Sequence, residues 1–132
     1  MSTNKSMERI IYPRLSYKVV GVLFDVHRKL GNRLQEKYYQ RAIALGFKKA
    51  NIPFKEQALV QLEYESEPIG RYFVDFVISN KIALDIKAVP KTSKHDYDQM
   101  LAYLHVLKLK LGVIANFRAQ NLTFKRLVNS RI

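Results

Sequence analysis

Between residues 16 and 30 the apolar side chains Val19, Val20, Leu23 and Phe24, with His27, recur at helical spacing. The spacing predicts a first helix over 16–30, and Gly31 supplies a C-terminal stop. A second helix is expected over 33–50, with Leu34, Tyr38, Ala42 and Leu45 on one stripe and Glu36, Tyr39 and Ile43 beside it. Gly46 weakens that helix without ending it. After Pro53 the period changes to two, with Leu59, Gln61, Glu63 and Glu65 on one side of a strand and Val60, Leu62 and Tyr64 on the other. Residues 65–70 read as a turn. Two β-rich runs follow, 71–78 and 81–89, joined at Ser79-Asn80 as an antiparallel hairpin. Tyr97, Met100, Leu101, Leu104 and Leu107 return to helical period and predict a third helix over 93–107. Strands at 111–117 and 122–128 close the chain. The order is α-α-β-β-β-α-β-β, an α/β fold with a mixed central sheet and a helix crossing between its third and fourth strands.

The hairpin is where the pattern stops describing only a fold. One face carries Val74, Phe76, Ile78, Ile82, Leu84, Ile86 and Ala88, and the other carries Phe73, Asp75, Val77, Ala83, Asp85 and Lys87. Both faces are largely apolar, as in strands covered on two sides. Three ionisable groups therefore point into a partly enclosed space, where an unpaired carboxylate costs several kcal/mol and two close carboxylates raise one another's pKa. Lys87 shares a face with Asp85 but balances only one acid. Register decides whether Asp75 joins them. If Ile78 pairs with Ile82 across a three-residue loop, Asp75 falls opposite Asp85; a two-residue loop sends the acids to opposite faces. The first register, or a bulge that achieves it, is expected, because it keeps Ile78, Ile82 and Ile86 on one face. Two carboxylates beside a lysine suit a hard cation such as Mg²⁺, with Mn²⁺ as a substitute, and Lys87 would orient or deprotonate an attacking water. The plainer alternative is a buried Asp–Lys pair with Asp75 capping a turn or binding backbone.

Composition narrows the partner. The chain has 132 residues, 48% of them hydrophobic, enough for one domain spanning 1–132 with a polar arm over 1–12. Its 23 Lys and Arg against 11 Asp and Glu give a net charge of +12, and the pI is near 10.0. Such a surface attracts DNA or RNA through counterion release. The absence of cysteine excludes disulfides and thiolate zinc sites. No run is apolar enough to span a bilayer, and the start MSTNKSMERI lacks a secretory stretch, so no membrane partner and a cytoplasmic location are expected. His27, His95 and His105 are too scattered for a metal triad, and His27 is expected at the core boundary. Lys91, Lys94, Lys108, Lys110, Arg118, Lys125 and Arg126 are candidates for a phosphate-tracking surface.

Asp75 followed by Asp85-Ile86-Lys87 resembles the D…(D/E)xK signature of the PD-(D/E)XK nuclease superfamily, which implies a restriction-endonuclease-like core. Over residues 30–126 the chain also resembles the family named for a GxxExxY motif. The matching residues are Leu30-Gly31, Leu34, Glu36 and Tyr39; Gly70 and Arg71; Asp85 through Val89; Gln99 with Tyr103-Leu104; and Asn116-Phe117 with Lys125-Arg126. Arg33 stands at the motif's glycine, and Asp85 where the pattern usually has Glu. The resemblance implies a metal-dependent nuclease acting on DNA or RNA. Asp75 and Asp85 would be metal ligands, Glu36 a further ligand or water-orienting acid, and Lys87 the group activating water. Gln99 would position substrate or Lys87, with Tyr103 one helical turn away near the site. A homodimer or a place in a larger assembly is compatible with it. The competing reading is a basic nucleic-acid-binding or accessory protein that keeps the fold without the catalysis.

Overall fold

The structure, a computed structural model, describes residues 11–131. The polar arm expected over 1–12 lies, for its first ten residues, outside the described residues, while Ile11 and Tyr12 pack against the core.

Helix α1 (Pro13–Leu30) starts three residues earlier than apolar spacing suggests, because Pro13 presets the first helical φ. It ends where Gly31, at φ 79°, donates its N–H to the His27 carbonyl. Helix α2 (Glu36–Lys49) buries Tyr39, Ile43, Ala44 and Phe47. The expected stripe is thus rotated: Tyr38 and Leu45 are exposed and the Tyr39–Ile43 side is the core face. Tyr39 sets that rotation through contacts outside the helix, described below.

Strands β1 (Phe54–Tyr64) and β2 (Glu67–Ile78) form a long hairpin whose turn is only Glu65-Ser66, at φ 50° and 66°. Neither residue advertises a left-handed turn, so the glycine at 70 misleads. Gly70 instead lies inside β2 opposite Leu62, beside a register shift between Leu62 and Glu63. Strand β3 (Ile82–Lys87) pairs antiparallel with β2, and helix α3 (Lys94–Leu107) crosses to β4 (Leu111–Asn116), parallel to β3. Strand β5 (Thr123–Val128) closes a five-stranded sheet of order β1-β2-β3-β4-β5.

Two apolar clusters hold the layers together. Helices α1 and α2 cover one sheet face through Leu23, Ile43 and Phe47 against Phe76, Ile78, Leu84 and Ile86. Helix α3 covers the other through Met100, Tyr103 and Leu104 against Val77, Ala83 and Ile114. The uniform face expected from Val74 to Ala88 is broken at one point. Val74 packs with α3, while Phe76 and Ile78 pack with α1 and α2. Strand β1 switches faces at the same level, between Phe54 and Ala58, where Gln57 adopts φ 48°. The face change falls beside Asp75. Among the described residues no helix is long and apolar enough to cross a membrane.

Gly46, in the interior of α2, permits its close approach to α1: a Cβ there would lie 2.6 Å from Cγ1 of Val22. Valine is stiff in a helix and yields little. Gly46→Ala should therefore lower stability by about 1 kcal/mol or more despite its better helix propensity. In a Val22→Ala background the same change should raise stability by about 1 kcal/mol. Urea midpoints of the four proteins decide this; an equal effect in both backgrounds would refute the close-approach argument.

Candidate active site

The β2–β3 ladder runs Ile78↔Ile82, Val77↔Ala83 and Phe76↔Leu84, so the loop is Ser79-Asn80-Lys81 and the three-residue register is the one adopted. Ser79 and Asn80 both have positive φ, and Lys81 closes the turn by donating to the Ile78 carbonyl at 2.9 Å. The next step of the register sets Asp75 opposite Asp85. There the backbone ladder gives way to side chains. The Asp75 N–H donates to Asp85 Oδ1 at 3.0 Å, and the Ile86 N–H donates to Asp75 Oδ2 at 2.8 Å. Each carboxylate caps the other strand's backbone, so the strands separate without leaving these amides unpaired. The short side chain of Asp85 suits this reach.

Glu36 arrives from another element. It is the first residue of α2, and the approach to it is tied down. The Tyr39 hydroxyl donates to the Gly31 carbonyl at 2.7 Å and accepts from the Leu34 N–H at 3.2 Å. The Tyr39 ring stacks on Phe117 at 4.6 Å, and the Phe117 N–H donates to the Lys87 carbonyl at 2.8 Å. Buried Asn116 holds the segment beyond β3, donating to the Val89 carbonyl at 2.8 Å and accepting from the Val89 N–H at 3.2 Å. Asn32 reaches the Arg118 carbonyl and His27, buried as expected, sits 3.0 Å from the Ala119 carbonyl. The end of α1, the start of α2 and the end of β3 are thus one connected unit. This unit borders the carboxyl ends of the two parallel strands, where open α/β sheets bind ligands.

Charge inside this unit is unbalanced. Burial, then the Asp75 charge, pushes the Asp85 carboxyl up to about 6, against the pull of the Asp75 amide and Lys87. Asp75 is also raised, by burial above all, with the Ile86 amide, Gln57 and Lys87 opposing. Glu36 is raised by burial and by Asp75, and drawn back by Lys87 and the Ala88 amide. Three carboxylates share one ammonium. Lys87 moreover makes its ion pair with Asp96 on α3, at a loose 3.9 Å. Among the described residues no three His, Cys, Asp or Glu side chains form a ready cage for an ion. The donor set still fits a hard divalent cation: a few oxygen ligands with surplus negative charge, and coordination positions left for water and phosphate. Asp75 and Asp85 would hold it, with Glu36 approaching from α2.

The remaining candidates separate. Burial, above all, with the charges of Asp85 and Asp75 and the neighbouring Tyr72, pushes the Tyr103 phenol up to about 12. Tyr103 is buried, so it meets nucleic acid at most through one edge. Gln99 lies one turn earlier, half-buried, in a groove shared with Tyr103 and Tyr72. Lys91 and Lys94 are exposed at the entrance to α3, where Lys94 pairs with Asp98 at 2.6 Å. Lys125 sits over the Tyr97 ring at 5.7 Å, and the Arg118 guanidinium donates to the Ala88 carbonyl at 2.8 Å. Arg126 alternates to the other sheet face, where it donates to the Ile11 carbonyl and lines a groove against α1. Asp96 was missed from sequence. Its capping box with Ser93 was a readable signal, but its proximity to Lys87 comes only from the α3 crossover.

A family model of the PD-(D/E)XK nuclease superfamily matches residues 13–127. Among solved structures the chain is similar to an alkaline exonuclease from Laribacter hongkongensis, at 10% identity and a TM-score of 0.51. That likeness covers 72% of this chain and 55% of the exonuclease, so the chain spans about half the neighbour's length and shares its fold. No curated protein matches the sequence.

A pH dependence follows from Asp85. Its folded value near 6 lies above the ordinary 3.8, so its stabilising proton is fully present below about pH 4 and lost as pH rises through about 6. In metal-free protein, Asp85→Asn should gain on wild type by about 2–3 kcal/mol across that interval and level off above it. Millimolar Mg²⁺ should stabilise wild type at neutral pH and hardly at all near pH 4. Urea unfolding with EDTA or Mg²⁺ measures both; an Asn advantage that does not vary with pH would count against the charged-pair account.

Proposed function

We propose that this chain, which belongs to the PD-(D/E)XK nuclease superfamily, is a metal-dependent nuclease hydrolysing phosphodiester bonds in DNA or RNA. The observation that carries the reading is the reciprocal Asp75–Asp85 arrangement, with Lys87 two residues on and Glu36 brought up from α2. A bound Mg²⁺, or Mn²⁺ in its place, would polarise the phosphate and lower the pKa of a water on it. Asp75 and Asp85 fix the site's charge and shape, because their outer contacts to backbone amides leave little freedom to either carboxylate. Glu36 turns the attacking water. Lys87 donates hydrogen bonds to that water and to the phosphate oxygens as charge develops on them. Gln99 contacts the substrate beside the scissile bond.

Placement in the GxxExxY family is part of this proposal. It is supported by the way Gly31, Tyr39 and Phe117 combine to present Glu36. Lys91, Lys94, Arg118 and Lys125 lie on or beside the segment that follows β3 and are the candidates for tracking the backbone. Arg126, on the opposite face, is taken up in a structural contact with the Ile11 carbonyl. The chain is read as one working unit with a cytoplasmic location.

Plasmid, linear duplex and single-stranded substrates incubated with Mg²⁺ or Mn²⁺ test the reading. Cleavage should be abolished by EDTA and reduced by roughly 10²–10⁴-fold in Asp85→Ala and Lys87→Ala. Salt-dependent binding without any cleavage sensitive to these changes would leave a non-catalytic nucleic-acid-binding protein instead.

A further inference from the structure

We propose that the groove between the β1–β2 hairpin and α3 is a base-binding pocket that takes one unstacked nucleobase next to the scissile phosphate, making single-stranded or frayed ends the preferred substrate. The inference rests on the nuclease reading and specifies its substrate class. The groove measures about 310 Å³ and is lined by Leu62, Tyr72, Gln99, Tyr103, His95 and Asp98. That is the small end of the range of ligand pockets. Its walls are of the kind that receive a flat heteroaromatic ring. Tyr72 is half exposed, with its ring tilted 50° to that of Tyr103 at 5.9 Å, so it offers an aromatic face to an incoming base.

Polar groups for the base edge are at hand. Gln99 is half-buried and makes no hydrogen bond among the described residues, leaving an amide that both donates and accepts. The Asp98 charge is partly met by Lys94. Gln99 connects this groove to the candidate metal site, since it lies one turn beyond Asp96, whose carboxylate stands 3.9 Å from Lys87 Nζ. A phosphate at the aspartates would therefore bring its own base to Tyr72.

The surroundings disfavour a continuous duplex. Beyond Tyr72 the hairpin runs on to a tip bearing Glu63, Glu65 and Glu67, all exposed. A stiff duplex passing the groove would carry its phosphates along those acids. A single strand has a short enough reach to turn away, and its bases are free to be stacked on aromatic side chains.

Fluorescence anisotropy of Lys87→Ala protein in Mg²⁺, with a labelled single-stranded oligonucleotide, an abasic oligomer of equal length and a blunt duplex, tests the pocket apart from catalysis. The single strand should bind roughly 10-fold or more tightly than the abasic oligomer. Tyr72→Ala should remove most of that advantage, Tyr72→Phe should retain it, and neither should alter abasic binding. Gln99→Ala should change the ranking among the four homopolymers. Equal affinity for the normal and abasic strands, or a Tyr72→Ala loss shared by all three ligands, would overturn the pocket. Base-selective binding by the Lys87→Ala protein together with no cleavage by the wild type would instead sink the nuclease reading and leave the pocket standing.

Discussion

At one step of the β2–β3 hairpin two aspartates take the place of a backbone hydrogen-bonded pair, and the geometry of the site depends on that substitution. Strands that separate inside a covered sheet expose N–H groups that must find acceptors. Here Asp85 Oδ1 receives the Asp75 amide and Asp75 Oδ2 receives the Ile86 amide. The same contacts that let the hairpin open therefore hold both carboxylates at the opening. The neighbouring strand adapts at this level too, with Gln57 in a left-handed conformation and its amide 3.4 Å from Asp75 Oδ1. Fold and site are in this sense one structure, and a change that relaxed the aspartates would also reposition the strands.

The second constraint is the connection from α1 to α2. Glu36 stands at a helix N-terminus, where the helix dipole favours a negative charge, yet burial and Asp75 disfavour it. What keeps it there is mechanical: Tyr39 is clamped between the Gly31 carbonyl and the Phe117 ring, and Phe117 is fixed to Lys87 by a backbone bond. Gly31, Tyr39, Asn116 and Phe117 thus act on the site without contributing a charge to it. Arg33 lies between the two backbone groups that Tyr39 holds and needs no left-handed conformation, which falls at Gly31 with φ 79°.

The parts that were legible in the sequence share a physical origin. Alternation and helical period identified the eight elements of the described residues, and the apolar run Ile78, Ile82, Ile86 was enough to select the hairpin register, since a one-residue slip would have buried the wrong face. What was not legible depends on contacts between distant segments. The core face of α2 is set by Tyr39 against Phe117, not by the strongest apolar stripe of the helix. The turn at Glu65-Ser66 is carried by hairpin pairing and lacks the usual turn residues. The switch of Val74 to the α3 side goes with the left-handed Gln57 on the paired strand, and the approach of Asp96 to Lys87 reflects the crossover of α3. Adjacent residues Lys125 and Arg126 look alike in sequence but serve opposite faces, as any two neighbours in a strand must.

The distribution of charge gives the proposed chemistry an order. The chain carries +12 overall, yet Asp75, Asp85, Glu36 and Asp96 are gathered around a single lysine. At long range the net field draws in a polyanion. Within a Debye length of about 8–10 Å the local acids dominate, and they repel the phosphate that the wider surface attracts. Asp75 and Asp85 would reconcile the two by holding a divalent cation, which would neutralise their charge and attract the phosphate. Cation binding would then be a condition for productive substrate binding in addition to any part in bond cleavage. A substrate would be held on the basic rim until the ion makes the site receptive.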